Sequence, residues 1–366
     1  MSTYKIALLP GDGIGPEITS EAVKMLKAVE DVFGPLNFEF ETMTASAKLF
    51  LDTGVTMPDS EYETCTKADA MLMGAIGLPH ARRPDGTEVA GDAIFRLRFG
   101  MDLYAGVRPV RLLPNVRSPL HDTSKGIDYV VVRENVEGLY ASRDGGSVLR
   151  NEVATDTIVI TREGTSKVVD YAFRLAQKRK GRPLDGKSVV TCVDKSNVLT
   201  SYAFFRSVFN DVAREYPDIE PDYAYVDAMT AYQVQSPQNY DVLVAENMFG
   251  DIISDLSSAT VGGLGLAPSA DVGEKHGLFQ PAHGSAPTIA GKGIANPVAM
   301  ILSAAMMLDW LADQRGDDDA RRAAAAVTEA VEQALNQGKE LTPDLGGKGT
   351  TSGFGDAAVA ALRTLG

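Results

Sequence analysis

Tyr4 to Leu9 (YKIALL) is an apolar run of strand length, and it passes through Pro10-Gly-Asp-Gly-Ile-Gly15 straight into Pro16. A proline has no N–H and its φ is already set for a first helical turn. Glu17 to Val29 then carries Ile18, Ala22, Met25, Leu26 and Val29 at helical spacing. Strand, glycine turn and helix therefore follow within thirty residues. The theme recurs: short apolar runs at Ala70 to Met73, Tyr129 to Val132, Ser188 to Val193 and Val242 to Ala245 are separated by amphipathic stretches such as Ser166 to Lys178 and Val198 to Arg214. Alternation of this kind predicts an α/β fold with sheets covered by helices. With 366 residues, the chain is long enough for about two domains.

Two stretches break the alternation. Val148 to Ile160 is polar and β-branched with little helical period, which predicts a protruding hairpin or arm. Pro281 to Pro297 (PAHGSAPTIAGKGIANP) is long and rich in glycine and proline, and loops of that length in compact domains are usually functional. No internal repeat, low-complexity tract or linker is evident.

Apolar residues at 44% and charged residues at 23% are globular values that argue against disorder, collagen or coiled coil. The net charge of −14 repels nucleic acid phosphates and anionic lipid heads, so no nucleic-acid or membrane partner is expected. The apolar run from Ala299 to Leu311 is too short to span a bilayer, and the N-terminus has no basic segment leading into an apolar one. Cys65 and Cys192 lie far apart without CxxC or histidine spacing, so neither a disulfide framework nor a zinc site is indicated. A cytoplasmic protein is the expectation.

The glycine cluster Gly11, Gly13, Gly15 does not match a Rossmann fingerprint, whose third glycine falls one position later. It reads as a tight strand-to-helix turn, with an anion at the helix N-terminus physically feasible. Asp251 and Asp255 are four apart in NMFGDIISDLSS, where Ile252, Ile253 and Leu256 imply a helix. Like charges at that spacing destabilise a helix unless a cation lies between them. They form either a solvated acidic face or a site for a hard ion such as Mg²⁺ or Mn²⁺, with Asp227 as a candidate third ligand. Arg98 and Arg108 bracket FGMDLYAGV, and Arg133 follows the apolar run DYVVV; each is a surface ion pair or a bidentate grip on a carboxylate. Lys195 in CVDKSNVL and Tyr140 closing VRENVEGLY are structural residues or, beside a metal, a base and an acid.

Taken together, LLPGDGIGPEI, VRPVRLLP, VRENVEGLY, VDKSNVL, YVDAMTAYQV, NMFGDIISDL and HGSAPTIAGKGIANP occur in an order and spacing that resemble the β-decarboxylating dehydrogenases, over nearly the whole chain. This family contains the 3-isopropylmalate, isocitrate, homoisocitrate and D-malate/tartrate enzymes. The resemblance implies a two-domain, non-Rossmann α/β fold of the isopropylmalate dehydrogenase type, with mixed sheets covered by helices. Residues 1–103 plus 262–366 would form a discontinuous cofactor domain, and 104–261 a substrate and dimerisation domain whose arm, near 148–160, joins two subunits. It implies that Arg98, Arg108, Arg133 and Asn197 bind substrate. Asp251 and Asp255 would be metal ligands, with Asp227 contributed to metal and substrate by the partner subunit. Lys195 would be the base, also from the partner, and Tyr140 the acid. Ile14, His283, Gly284, Ser285, Ala286, Pro287, Thr288, Ile289 and Asn296 would hold the cofactor, NAD. The expected assembly is a homodimer with shared active sites acting on a small molecule.

Three positions depart from the family's pattern. NAD users often carry an aspartate where this chain has Thr288, and NADP users a basic residue, which is also absent. Gln280 replaces a familiar glutamate, and Gly91 stands where isopropylmalate enzymes usually have one. In this family the residues before the first substrate arginine contact the group on C3, and here they include Ile94 and Phe95. An apolar pocket of this kind favours a 3-alkylmalate such as 3-isopropylmalate. If Phe95 fills the pocket itself, D-malate or tartrate follows. Two other classes remain open: a catalytically silent regulatory subunit that binds a carboxylate or nucleotide, and a Mg²⁺-dependent phosphotransferase, for which the GK[ST] element is missing.

Overall fold

The computed structural model describes residues 2–143 and 145–365. The chain divides into two compact units, Met1–Met101 with Leu113–Arg117 and Gly262–Gly366, and Asp102–Leu112 with Ser118–Val261.

The chain starts in the first unit with β1 (Ser2–Gly11), α1 (Gly15–Phe33), β2 (Leu36–Thr42), α2 (Ala47–Thr53), α3 (Asp59–Lys67), β3 (Ala70–Ala75) and α4 (Asp92–Gly100). It builds the second unit from β4 (Ala105–Arg111), β5 (Asp128–Glu134), β6 (Ser147–Leu149), β7 (Val153–Thr155), α5 (Arg162–Lys178), β8 (Val189–Asp194), α6 (Thr200–Ala213), β9 (Glu220–Tyr225), α7 (Val226–Gln235), β10 (Val242–Ala245) and α8 (Asn247–Thr260). It then returns to the first unit as β11 (Pro268–Val272), β12 (Gly277–Pro281), α9 (Val298–Arg315), α10 (Asp318–Gln337) and α11 (Thr351–Leu362).

In the first unit the strands lie in the order β2-β1-β3-β12-β11, parallel except for the β11–β12 pair. In the second the order is β4-β5-β10-β8-β9, parallel except for β4–β5. Strands buried on both faces carry continuous apolar runs rather than alternation, and β3, β8 and β10 are buried at every residue. The core of the second unit gathers Tyr129, Val131, Leu243 and Ala245 from its sheet with Met229 of α7 and Ile253 of α8, so both helices are seated on the strands that end at the candidate site.

The PGDGIG turn is a packing device. Gly13 has φ +60°, and a Cβ there would collide with the Ser285 carbonyl. Asp12 is buried, and its carboxylate accepts from the backbone N–H groups of Ala47, Lys48 and Gly77. The expected arm at Val148 to Ile160 is a two-stranded antiparallel hairpin, β6–β7, over Ser147–Thr155 only, and its turn has both Arg150 (φ +55°) and Asn151 (φ +56°) left-handed, as a type I′ turn requires. It leaves Val148, Leu149 and Val153 exposed.

Candidate active site

Chemistry concentrates in the second unit where β5 ends and α8 begins. Arg133, the penultimate residue of β5, is buried, and its guanidinium is held at several points. Its Nε and Nη2 donate to Asn247 Oδ1 at 3.0 and 2.7 Å, and Nη1 pairs with Asp251. Its Cζ lies 5.4 Å from the centre of the Tyr140 ring. Tyr140, in a short 3₁₀ turn, donates its hydroxyl to Asp251 Oδ2 at 3.1 Å. Burial, and next the Asp251 charge, push the Tyr140 phenol above its ordinary value, so it keeps its proton at neutral pH. Asp251 and Asp255 stand one turn apart on α8. Burial and then the charge of Asp251 raise the Asp255 carboxyl, while Arg108 and Arg133 pull it down. Arg108 is buried on β4, directly across the antiparallel ladder from Val131.

Helix α8 is aimed by its first residues. Glu246 caps it, accepting from the N–H groups of Met248 and Phe249 and from the Tyr202 hydroxyl at 3.1 Å. A capping carboxylate satisfies otherwise orphaned donors and suits the positive end of the helix dipole. Gly250 lets the helix close on its target: a Cβ there would lie 2.8 Å from the Cβ and Cγ of Arg133.

A second cluster lies on the other side of the same sheet order. Lys195 follows β8, and its Nζ pairs with Asp227 Oδ1 at 2.6 Å. Asp227 is in the first turn of α7, and the strand before it, β9, ends at Tyr225. The turn carrying Lys195 is fixed by buried Asp194, which accepts from Ser196 N–H and takes a bidentate grip from Arg206 at 2.6 and 2.9 Å. Asn197 is exposed in that turn. The structure thus does not bring Asp227 to the Asp251–Asp255 pair of the same chain. Among the described residues no group of three acidic, histidine or cysteine side chains is arranged to hold a metal. The Asp251–Asp255 pair is still the kind of donor set a hard divalent ion takes, namely carboxylate oxygens one turn apart on one helix face.

In the first unit, α4 carries Ile94, Phe95 and Arg98. Arg98 is buried, and its Nε pairs with Asp271 Oδ2 at 2.9 Å; Gln280 Nε2 donates to the same oxygen at 2.9 Å. Phe95 stacks on Phe99 with ring centres 5.6 Å apart. Arg96 turns away, to Met57 O and Asp59.

The 282–296 loop has no regular structure apart from turns. It is anchored by Ile14 N–H donating to Ser285 O at 2.8 Å and by Ser285 Oγ donating to Gly77 O. Asn296 donates to Asp344 at 2.9 Å and accepts from Val298 N–H at 3.0 Å. Burial lowers the His283 pKa, which keeps the ring neutral, and its buried Nε2 has no partner among the described residues. Gly284, Gly291 and Gly293 have nothing within 4 Å of where a Cβ would stand. An open backbone cradle with one orphaned ring nitrogen fits an adenosine-bearing cofactor. Pro287 and Thr288 are exposed, whereas Ala286 (φ +39°) and Ile289 are half-buried.

Residues 5–358 match the family described as isocitrate/isopropylmalate dehydrogenase. The chain is 42% identical over 345 residues to the 3-isopropylmalate/3-methylmalate dehydrogenase of Methanocaldococcus jannaschii, covering 94% of each chain. It is 40% identical over 359 residues to the 3-isopropylmalate dehydrogenase of Archaeoglobus fulgidus, covering 98% of this chain and 99% of that one. Among solved structures, the isocitrate dehydrogenase of Methylococcus capsulatus superposes with a TM-score of 0.84 at 34% identity, covering 98% of this chain and 99% of that one. The chain therefore belongs to the isocitrate/isopropylmalate dehydrogenase family and is an oxidative decarboxylating dehydrogenase.

The residues that sequence reasoning passed over are the braces: Asn247, Gly250, Asp194, Arg206, Asp271 and Asp12. A signal existed for one of them, because Asn247 sits four residues ahead of Asp251, at helical spacing.

Proposed function

We propose that this enzyme oxidises and decarboxylates a (2R)-hydroxy acid of the 3-substituted malate class, with 3-isopropylmalate as its first substrate, using NAD and Mg²⁺ or Mn²⁺. The observation that carries this reading is the convergence of Arg133 and Tyr140 on Asp251, one turn from Asp255. Asp251 and Asp255, with Asp227 of the second copy, would hold the divalent ion, which would polarise the 2-hydroxyl and its carboxylate, and bound NAD would supply the hydride acceptor for C2. Arg108 and Arg133, with Arg98 as a further grip, hold the substrate carboxylates. Lys195 as the neutral amine takes the proton of the 2-hydroxyl, and Asp227 holds the nitrogen in place and pairs with the ammonium that results. Oxidation yields a β-keto acid; its C3–carboxylate bond breaks, CO₂ leaves, the electron pair passes into an enolate, and the protonated Tyr140 delivers a proton to C3.

Asp251 and Lys195 belong to separate clusters in one chain, which supports a homodimer whose sites each draw Lys195 and Asp227 from the second copy, with the β6–β7 arm as part of the contact. Asn197, beside Lys195, serves the same substrate. The cradle around His283, Gly284, Ser285 and Asn296 holds the adenosine end of NAD. Two buried free cysteines support a reducing compartment, the cytoplasm. No helix among the described residues is long and apolar enough to cross a membrane.

One observation favours a smaller substituent: the Phe95–Phe99 stack places two rings at the C3-recognition segment, which suits 3-methylmalate or D-malate. A panel of 3-substituted malates assayed for NADH formation separates these. The expected order is 3-isopropylmalate first and isocitrate last; efficient turnover of isocitrate overturns the pocket assignment.

A further inference from the structure

We propose that Asn247 is a positioning residue that fixes the plane of the Arg133 guanidinium while leaving its charge intact for the substrate. The proposal rests on the reading above of Arg133 as a carboxylate-binding residue.

Asn247 is almost fully buried at the first turn of α8, and both ends of its amide are matched to what they face. Its Oδ1 accepts from Arg133 Nε and Nη2 at 3.0 and 2.7 Å, and its Nδ2 donates to the Glu137 carbonyl at 3.0 Å. The amide cannot flip without setting NH₂ against a guanidinium and oxygen against a carbonyl. The guanidinium, held through Nε and one Nη, cannot rotate about its Cδ–Nε bond. The backbone around the amide is fitted to it. Gly138 has φ +76°, and a Cβ there would stand 3.1 Å from Asn247 Cβ; Gly250 admits the Arg133 stem on the same helix face.

The choice of amide over carboxylate has a physical reason. An aspartate at 247 would accept the same two hydrogen bonds, but it would neutralise the guanidinium and leave an acceptor facing the Glu137 carbonyl. A neutral acceptor orients the fork and spends none of its charge. Asp251 is a charged partner of Arg133, and under the reading above it would also hold the divalent ion. When the ion draws on Asp251, Asn247 is what keeps the fork in place to receive a carboxylate.

The test uses the full chain. Asn247→Ala should raise the KM for 3-isopropylmalate about tenfold or more, the usual scale for a lost hydrogen bond to a charged group, with kcat reduced far less and the KM for NAD unchanged. Asn247→Asp, of the same shape and able to start α8, should raise the same KM and serves as the folded variant if the alanine form does not fold. In an Arg133→Ala background, Asn247→Ala should add almost nothing, because its effect runs through the missing arginine. An unchanged KM in both variants, or an equal multiplication of KM with and without Arg133, overturns the proposal. Labelling with phenylglyoxal, read by peptide mass spectrometry, needs no activity. Arg133 should label slowly in the wild type and several-fold faster in Asn247→Ala, and equal labelling overturns the proposal. If the wild type oxidises no 3-substituted malate, the proposed function fails by itself, and the labelling still decides whether Asn247 holds Arg133.

Discussion

The two clusters of the second unit are built by opposite means. Around Arg133 the anchoring groups are enclosed: the guanidinium and its amide brace are buried, while the α8 carboxylates reach toward solvent, Asp255 exposed and the Asp251 side chain 42% exposed. Around Lys195 the brace is enclosed but the working pair is not, since Asp194 is fully buried whereas the Asp227 side chain is 67% exposed. An exposed lysine–aspartate pair adds little to stability and is screened by salt. Its rigid underpinning by Asp194 and Arg206 is therefore hard to explain as a contribution to folding. A base held out on a fixed turn makes chemical sense if something else covers it, and in the proposed dimer the carboxylates of α8 on the second copy would supply the complementary half.

The largest effects should come from removing either half. Asp251→Asn, or excess chelator, should lower turnover of 3-isopropylmalate by about 10³-fold or more, and Lys195→Ala by about 10²–10⁴-fold; undiminished steady-state rates in chelator would remove the metal from the account. Next in size is the C3 pocket. Phe95→Arg supplies a cation where the chain has a stacked ring, and it should move the kcat/KM ratio of homoisocitrate to 3-isopropylmalate upward by about tenfold to a hundredfold. A ratio that does not move would take Phe95 out of the pocket. Cofactor preference should be milder: no lysine or arginine stands beside Thr288 to pair with a 2′-phosphate, yet no aspartate is there to refuse it, so NAD should lead NADP by less than about a hundredfold in kcat/KM.

The smallest effect concerns the floor of the enclosed cluster. Burial pushes the Glu134 carboxyl up to about 7, against hydrogen bonds from the N–H groups of Val136 and Glu137 that favour its charge. The folded state then holds this proton more tightly than the unfolded chain, so stability is lost as pH rises from the ordinary carboxylate range through about 7. At about 1.4 kcal/mol per pKa unit the loss amounts to a few kcal/mol at most by pH 8. Thermal unfolding from pH 5 to 8 should show a falling Tm in the wild type and a flatter profile in Glu134→Gln. Parallel profiles would mean that Glu134 does not titrate in this range.

Much of this was legible from the sequence because the relevant signals are local. The run VLVA is a strand buried on both faces, and its bounds, Val242 and Ala245, are those of β10. The spacing of Asp251 and Asp255 placed both on one helix. Helix α1 begins two residues earlier than Glu17 and extends four past Val29, since its ends are set by the glycine turn and by Gly34 rather than by apolar period. Most of the braces were not legible because they depend on partners distant in the chain. Asn247 meets Arg133 across 114 positions and Arg98 meets Asp271 across 173, and neither pairing leaves a periodic trace. The role of Gly13 was hidden for the same reason: only the fold reveals that the Ser285 carbonyl lies against it.

That the enclosed and exposed clusters are two halves of one site is tested most directly by mixing inactive chains. If the protein is the proposed homodimer, Lys195→Ala and Asp251→Asn subunits, unfolded together in equal amounts and refolded or co-expressed, should form mixed dimers in about half of the assemblies. If each site takes Asp251 from one copy and Lys195 from the other, every mixed dimer holds one intact site and one doubly defective site. Activity should then return to roughly a quarter of the wild-type value with 3-isopropylmalate, NAD and Mg²⁺. If both residues act within one chain, every site in the mixture carries a defect, and an absence of recovered activity in verified mixed dimers would contradict the account.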